Sequence, residues 1–287
     1  MVKRLIIITA VALLAGGCNK YDLSGLLVPT SADVESRVKE SLAINEQTGP
    51  RVVSVATDNY RVYACTDIHC GDSSHNYKAF VRQLRSDGQA AMGLILGDIA
   101  DQNGAIPTVA AATQYDPAVH TYNVPVAAIA GNHDLFFGQW DDFKRCFGSS
   151  TYTLTVVTPN YRDLFIMLDS GGGCHGRTQM DWLRNALKER NNYRHVVVCT
   201  HVNILRTDLS QFVSGNLPLE ETYELLDLLA SHDVQLCLQG HDHHRDVSRY
   251  GSAEYLTLDC LRDGSENASY LVADISSSVG WRFVDIF

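Results

Sequence analysis

The 287-residue chain is 45% hydrophobic and 20% charged, enough to enclose the core of one large domain or a small pair without staples. Its formal net charge of −10 leaves no basic footprint for nucleic acid or anionic lipid and tells against long polyanions as substrates. Nothing in the sequence repeats at a fixed period, and no low-complexity tract occurs.

The chain begins MVKRLIIITAVALLAGGC. Lys3 and Arg4 precede an apolar run from Leu5 to Ala15, shorter than the about 20 residues a spanning helix needs, and small residues lead to Cys18. This resembles a bacterial lipoprotein signal over residues 1–17. It implies lipid on Cys18, a membrane anchor and export to the periplasmic side or the cell surface. Ala15 stands where leucine is more usual, and an ordinary cleaved secretory peptide is the other reading. Removing residues 1–17 takes away two basic residues and no acid, leaving 21 basic against 33 acidic. The cysteines besides Cys18 are odd in number. Cys65, Cys199 and Cys237 sit in apolar strand-like runs as expected buried thiols, so no disulfide framework is expected.

Residues 18–50 read as a tether with one short helix, on Val34, Val38 and Leu42 at four-residue spacing. The main domain is expected over 51–287. RVVSVA (51–56) and YRVYACT (60–66) are strands, with Thr57-Asp58-Asn59 between them as a hairpin signal. A helix over 75–87 puts Tyr77, Phe80, Val81 and Leu84 on one face. MGLIL (92–96) and VPVAAIA (124–130) are buried strands, and a second hairpin turns around Thr158-Pro159-Asn160. A helix near 178–190, a strand at 195–200, a helix near 218–231 and a strand at 234–239 follow, and after residue 244 only strands. The segments 102–122, 135–150, 171–178 and 202–217 carry no motif and are expected as loops around a site. Alternating strands and helices with a β-rich tail imply an α/β fold, with two mixed sheets packed together and helices outside.

Each buried strand of the alternating part ends in polar, coordinating side chains. YRVYACT runs into Asp67-Ile68-His69; MGLIL into Gly97-Asp98, with Asp101 three residues on; VPVAAIA into Gly131-Asn132-His133-Asp134. HVVVCT runs into His201, and VQLCLQ into Gly240-His241-Asp242-His243. Ligands of open α/β sheets bind outside the carboxyl ends of strands, so these groups can converge. Asp, His and Asn form an oxygen–nitrogen set suited to borderline and harder divalent cations.

These five elements, in this order, resemble the calcineurin-like metallophosphoesterase family over about residues 60–260. The resemblance implies a four-layer α/β/β/α sandwich and a dinuclear metal centre. Asp67, His69 and His243 would hold one ion, Asn132, His201 and His241 the second, and Asp98 would bridge them. His133 would lie beside the substrate phosphate and assist the leaving group, and Asp101 would orient His133; as a residue just past a strand, Asp101 could instead cap the following segment. Manganese, iron, zinc and magnesium all suit such ligands. Two cations about 3.5–4 Å apart clamp a phosphoryl group and generate hydroxide near neutral pH. The implied function is hydrolysis of a small phosphomonoester or phosphodiester. A nuclease of the same fold, or a metal-dependent binding scaffold without turnover, is the alternative. Asp101 stands where purple acid phosphatases carry tyrosine. Gln102 and Asp134 depart from the arginine and glutamate of protein serine/threonine phosphatases, which argues against both subfamilies. Asp134 and Asp242 are expected as hydrogen-bonding partners of turns, Arg177 and Arg206 as solvated surface residues, and His175 and His244 as ordinary histidines that could touch substrate.

Overall fold

The computed structural model describes residues 33–71, 73–102, 104–206 and 217–286. The signal-like segment, the start of the tether with Cys18, and most of the 202–217 segment lie outside the described residues.

Two mixed sheets are stacked. The five-stranded sheet runs β2 (Tyr60–Cys65), β3 (Ala90–Ile95) and β4 (Val126–Ala128) in parallel, then adds β11 (Ser269–Ile275) antiparallel to β2 and β12 (Val279–Asp285) outside β11. The seven-stranded sheet begins at β1 (Arg51–Ser54), β5 (Tyr152–Val157) and β6 (Arg162–Met167). It continues through β7 (Val196–Cys199), β8 (Leu236–Gln239) and β10 (Ala253–Thr257) to β9 (Asp246–Tyr250). Its β6, β7, β8 and β10 are mutually parallel, so their carboxyl ends lie on one rim.

The period-two alternation of a strand sorts its side chains between layers. Val62 and Ala64 of β2 face the seven-stranded sheet, joining Met92, Leu94, Leu154, Val156, Phe165 and Leu271 in the inter-sheet core. Tyr63 and Cys65 point the other way, into a layer built from α2 (His75–Leu84), α3 (Ala105–Ala112) and α4 (Gln139–Phe147). The outer face of the seven-stranded sheet is covered by α5 (Gly176–Leu187) and α6 (Leu219–Ser231) through Met180, Leu183, Leu187, Leu225 and Leu229. The result is the expected α/β/β/α sandwich. The N-terminal helix α1 (Val34–Thr48) docks on α5 and β5. It is fixed there by Arg37, whose guanidinium meets the Asp169 carboxylate at 2.9 Å with both side chains buried. Removing one partner of such a pair strands a buried charge, at a cost of about 3–5 kcal/mol. Among the described residues no helix is long and apolar enough to cross a membrane.

Three expectations fail. The first two strands do not form a hairpin: β1 pairs in parallel with β5 in one sheet, whereas β2 lies in the other. The Thr57-Asp58-Asn59 turn is present, but it carries the chain between sheets. Segments 102–122 and 135–150 are not plain loops, because they contain α3 and α4. The hairpin of β5 and β6 forms as expected, and Cys65, Cys199 and Cys237 are buried and free.

Candidate metal centre

The ends of β2, β3 and β4 from one sheet and of β7 and β8 from the other open into one crevice. Beyond β2 and β3 the chain stays paired, with the amides of Asp67 and His69 donating to the carbonyls of Gly97 and Asp98 at 3.1 and 3.0 Å. To aim its side chains back into the crevice the backbone must bend sharply. Asp67, His69, Asp98, His241 and His243 all have positive φ, at 51°, 44°, 50°, 73° and 61°. Outside glycine such values are uncommon, cost roughly 1–3 kcal/mol each, and persist where surrounding structure enforces them. The glycines at the strand exits serve close approach. A Cβ on Gly131 would lie 2.2 Å from Asp98 Oδ1, and one on Gly240 would lie 2.1 Å from Thr66 Oγ1.

All nine residues named from the sequence converge. On one side His69 Nε2 and His243 Nε2 stand 3.0 Å apart, with Asp67 Oδ1 at 3.5 and 3.1 Å from them. On the other, His201 Nε2 lies 3.2 Å from Asn132 Oδ1 and 3.3 Å from His241 Nδ1. Asp98 Oδ2 stands between the two groups, 3.8 Å from His69 Nε2 and 3.3 Å from His201 Nε2. Asp98 thus belongs both to a group with His69 and His133 and to a group with His201 and His241, each with ligand atoms within 4.8 Å of one another. The second carboxylate oxygens are tied down. Asp67 Oδ2 accepts from Thr66 Oγ1 and the His241 amide, and Asp98 Oδ1 accepts from the His133 amide. His201 Nδ1 lies 2.8 Å from the Leu96 carbonyl, which fixes that nitrogen as the donor and leaves Nε2 as the nitrogen facing the crevice. Asp101 Oδ1 plays the same part for His69 Nδ1 at 2.6 Å and also lies 3.3 Å from His133 Nδ1. Asp101 is therefore shared between two histidines and sits nearer to His69.

The carboxylates and imidazoles of the cluster shift one another's titration. Burial disfavours charge on His69, yet Asp101, Asp67 and Asp98 outweigh it and push its pKa up to about 10. His201 is likewise raised to about 9 by Asp98 and Asp67 against its burial. Burial would raise the carboxyls of Asp67, Asp98 and Asp101, but the facing imidazoles hold all three below the usual carboxylate range. Three carboxylates in a mostly buried cleft thus draw positive charge, as protons when nothing else supplies it. Asp67 Oδ1 is buried without a hydrogen-bond partner, although imidazole nitrogens surround it. An orphaned carboxylate oxygen ringed by imidazole nitrogens fits a divalent cation.

The surroundings refine the sequence reading. Asp134 accepts from the amides of Gly131, Ile99 and Ala100, clamping the ends of β3 and β4 together; burial and the Asp98 charge push its pKa up to about 7. Asp242 pairs with Arg206, which is 9% exposed and so is not the solvated residue expected. His175 is buried and held by Glu221 at 2.8 Å, out of reach as a substrate contact, and the 171–178 segment runs directly into α5. Two residues had no motif to reveal them. Cys260 Sγ lies within 4.8 Å of the ligand nitrogens of His69 and His243. Arg262 forms an ion pair with Asp101 at 3.0 Å.

A sandwich whose facing strand ends gather carboxylates, an amide and imidazoles defines the class of metal-dependent hydrolases. The calcineurin-like phosphoesterase profile matches residues 60–245, and the chain belongs to that family of phosphoester hydrolases that use divalent metals. Solved structures share the fold at low identity. The GAP50 anchor of the Plasmodium inner membrane complex is 13% identical with a TM-score of 0.61, over 80% of this chain and 85% of that one. Purple acid phosphatase PPD1 from yellow lupin seeds is 11% identical with a TM-score of 0.60, and a putative 5'-nucleotidase from Staphylococcus aureus is 12% identical with 0.54. In both, 80% of this chain covers only about half of the other, 52% and 54%. No curated protein matches the chain by sequence.

Proposed function

We propose that the chain hydrolyses a small phosphomonoester or phosphodiester at a pair of divalent cations, within one catalytic domain over residues 51–287. Asp67, His69 and His243 would hold one cation, Asn132, His201 and His241 the other, and Asp98 would be shared between them. The observation that carries this reading is Asp98 Oδ2, set between His69 Nε2 and His201 Nε2 and common to both candidate groups. Bound cations would supply a water of lowered pKa and neutralise phosphoryl charge.

The remaining work falls to the protein's own groups. Asn132 contributes a neutral oxygen and so adds no negative charge opposite an anionic substrate. In the imidazolium form of His133, Nδ1–H faces Asp101 Oδ1 at 3.3 Å and Nε2–H gives its proton to the departing oxygen as the P–O bond breaks, leaving a neutral imidazole. The His133 amide donating to Asp98 Oδ1 ties the proton donor to the bridging carboxylate, so the two keep a fixed spacing. The signal-like N-terminus supports an exported protein anchored by lipid on Cys18. A relative in fold is described as an anchor, so the fold by itself does not assign turnover; the complete set of coordinating residues and His133 supports it.

The test is turnover of 4-nitrophenyl phosphate and bis(4-nitrophenyl) phosphate with Mn²⁺, and again after chelation. Hydrolysis of at least one ester that chelator abolishes and metal restores is expected. Metal binding without hydrolysis of either would favour a scaffold.

A further inference from the structure

Among the described residues, Arg262 is the arginine of this rim that keeps most of its donors unspent. Arg206 is committed to Asp242, and Arg245 to Asp259 and Asp285. Among the described residues Arg262 makes one ion pair, through Nη2 to Asp101 Oδ2 at 3.0 Å, and its side chain is 56% exposed. A guanidinium has five N–H donors in a rigid fork, so most remain available to a ligand. The other oxygen of the same carboxylate faces His69 and His133, so the guanidinium sits one carboxylate away from the proposed proton donor.

Its backbone is held from three sides. The Leu261 amide donates to the Thr66 carbonyl at the end of β2, and the Arg262 carbonyl accepts from Asn76 Nδ2 on α2. Asp263 accepts from the amides of His75 and Asn76, capping the start of α2. A guanidinium fixed at its backbone and steadied at one nitrogen by Asp101, with its other N–H groups toward solvent, is pre-organised for an anion.

We propose that Arg262 is a phosphate-recognition residue that selects phosphomonoesters over phosphodiesters. This rests on the phosphoesterase reading and narrows it. A terminal phosphate has three non-esterified oxygens and close to two negative charges. A diester has one such oxygen fewer and a single charge, so a donor at the rim loses its partner first in a diester. The Asp101 carboxylate keeps the guanidinium beside the crevice until a phosphate oxygen takes its free N–H groups.

The experiment compares wild type, Arg262→Gln and Arg262→Lys, each metal-loaded with its metal content measured. Inorganic phosphate binding is measured by calorimetry, and kinetics are followed with 4-nitrophenyl phosphate and bis(4-nitrophenyl) phosphate. In Arg262→Gln, phosphate affinity falls about tenfold or more, the range for a charge-assisted hydrogen bond. Monoester KM rises by a similar factor with kcat changed less than about threefold, while the diester loses far less; Arg262→Lys recovers part of the phosphate affinity. Unchanged phosphate affinity with normal metal content would overturn the proposal. So would an equal fall for both esters with a displaced pH profile, which would make Arg262 a positioning residue acting through Asp101. The calorimetric arm needs no turnover, so a wild type that binds phosphate through Arg262 yet hydrolyses neither ester would remove the proposed function and leave this site standing.

Discussion

The inter-sheet core and the crevice at the strand ends lie a few residues apart along the same strands, yet they are built on opposite terms. In β2 and β3, Val62, Ala64, Met92 and Leu94 are fully buried apolar groups in regular strand geometry. Just beyond, Asp67, His69 and Asp98 are buried polar groups on positive-φ backbone, with one carboxylate oxygen orphaned. The regular part stabilises; the strained part spends some of that stability to hold charges that would otherwise seek water. Site variants should therefore change metal binding and rate with little loss of fold, and core variants the reverse.

The largest separation is expected for Asp98→Asn. It removes charge shared by both groups, so both metal affinities should fall beyond the about 10–100-fold typical of outer-shell losses, as read by calorimetric titration. Retention of wild-type affinity at either site would break the bridging assignment. Next is His133→Ala, expected to cost about 10²–10⁴ in kcat with full metal content, by stopped-time assay and elemental analysis. A lost metal in that variant would make His133 a ligand instead. Leu94→Ala lies on the other side of the comparison. It should cost about 2–5 kcal/mol in denaturant unfolding while kcat per folded molecule stays at wild type, because the cavity opens away from the crevice.

The smallest effect is on pH. His69 and His201, raised to about 10 and 9, are charged near neutrality in the metal-free protein and must lose protons to ligate. Metal uptake at pH 7.5 should therefore release protons, seen as a buffer-dependent enthalpy, and affinity should rise with pH up to about 9–10. For stability the sign is the opposite. Folded-state values above the unfolded value near 6.5 mean that the metal-free fold is favoured below that pH and loses this contribution as pH rises through about 9–10. Metal uptake without proton release would show that these imidazoles are already neutral.

The same comparison explains what could be read from the sequence. The strand-end residues were legible because each follows an apolar run, and topology brings such ends to one rim. The α2 stripe of Tyr77, Phe80, Val81 and Leu84 and the turn at Thr158-Pro159-Asn160 were equally local signals. The destination of β1 was not, since a turn between two strands looks the same whether they pair or change sheets. Helix α4 carried a readable face in Trp140, Phe143 and Phe147, but lay in a stretch expected to line the crevice as loop. Arg262 and Cys260 follow β10 with no motif. Their place beside Asp101 and the His69–His243 pair exists only in three dimensions, created by β10 and β2 lying in different sheets that meet at the rim.

The most direct check is the metal count. Purified protein equilibrated with Mn²⁺ or Zn²⁺ and freed of excess ion should carry two ions per chain by elemental analysis, and Asp98→Asn should lose occupancy at both positions. A wild type that retains none, or a variant that keeps both, would contradict the claim that the ends of two sheets meet around a pair of cations.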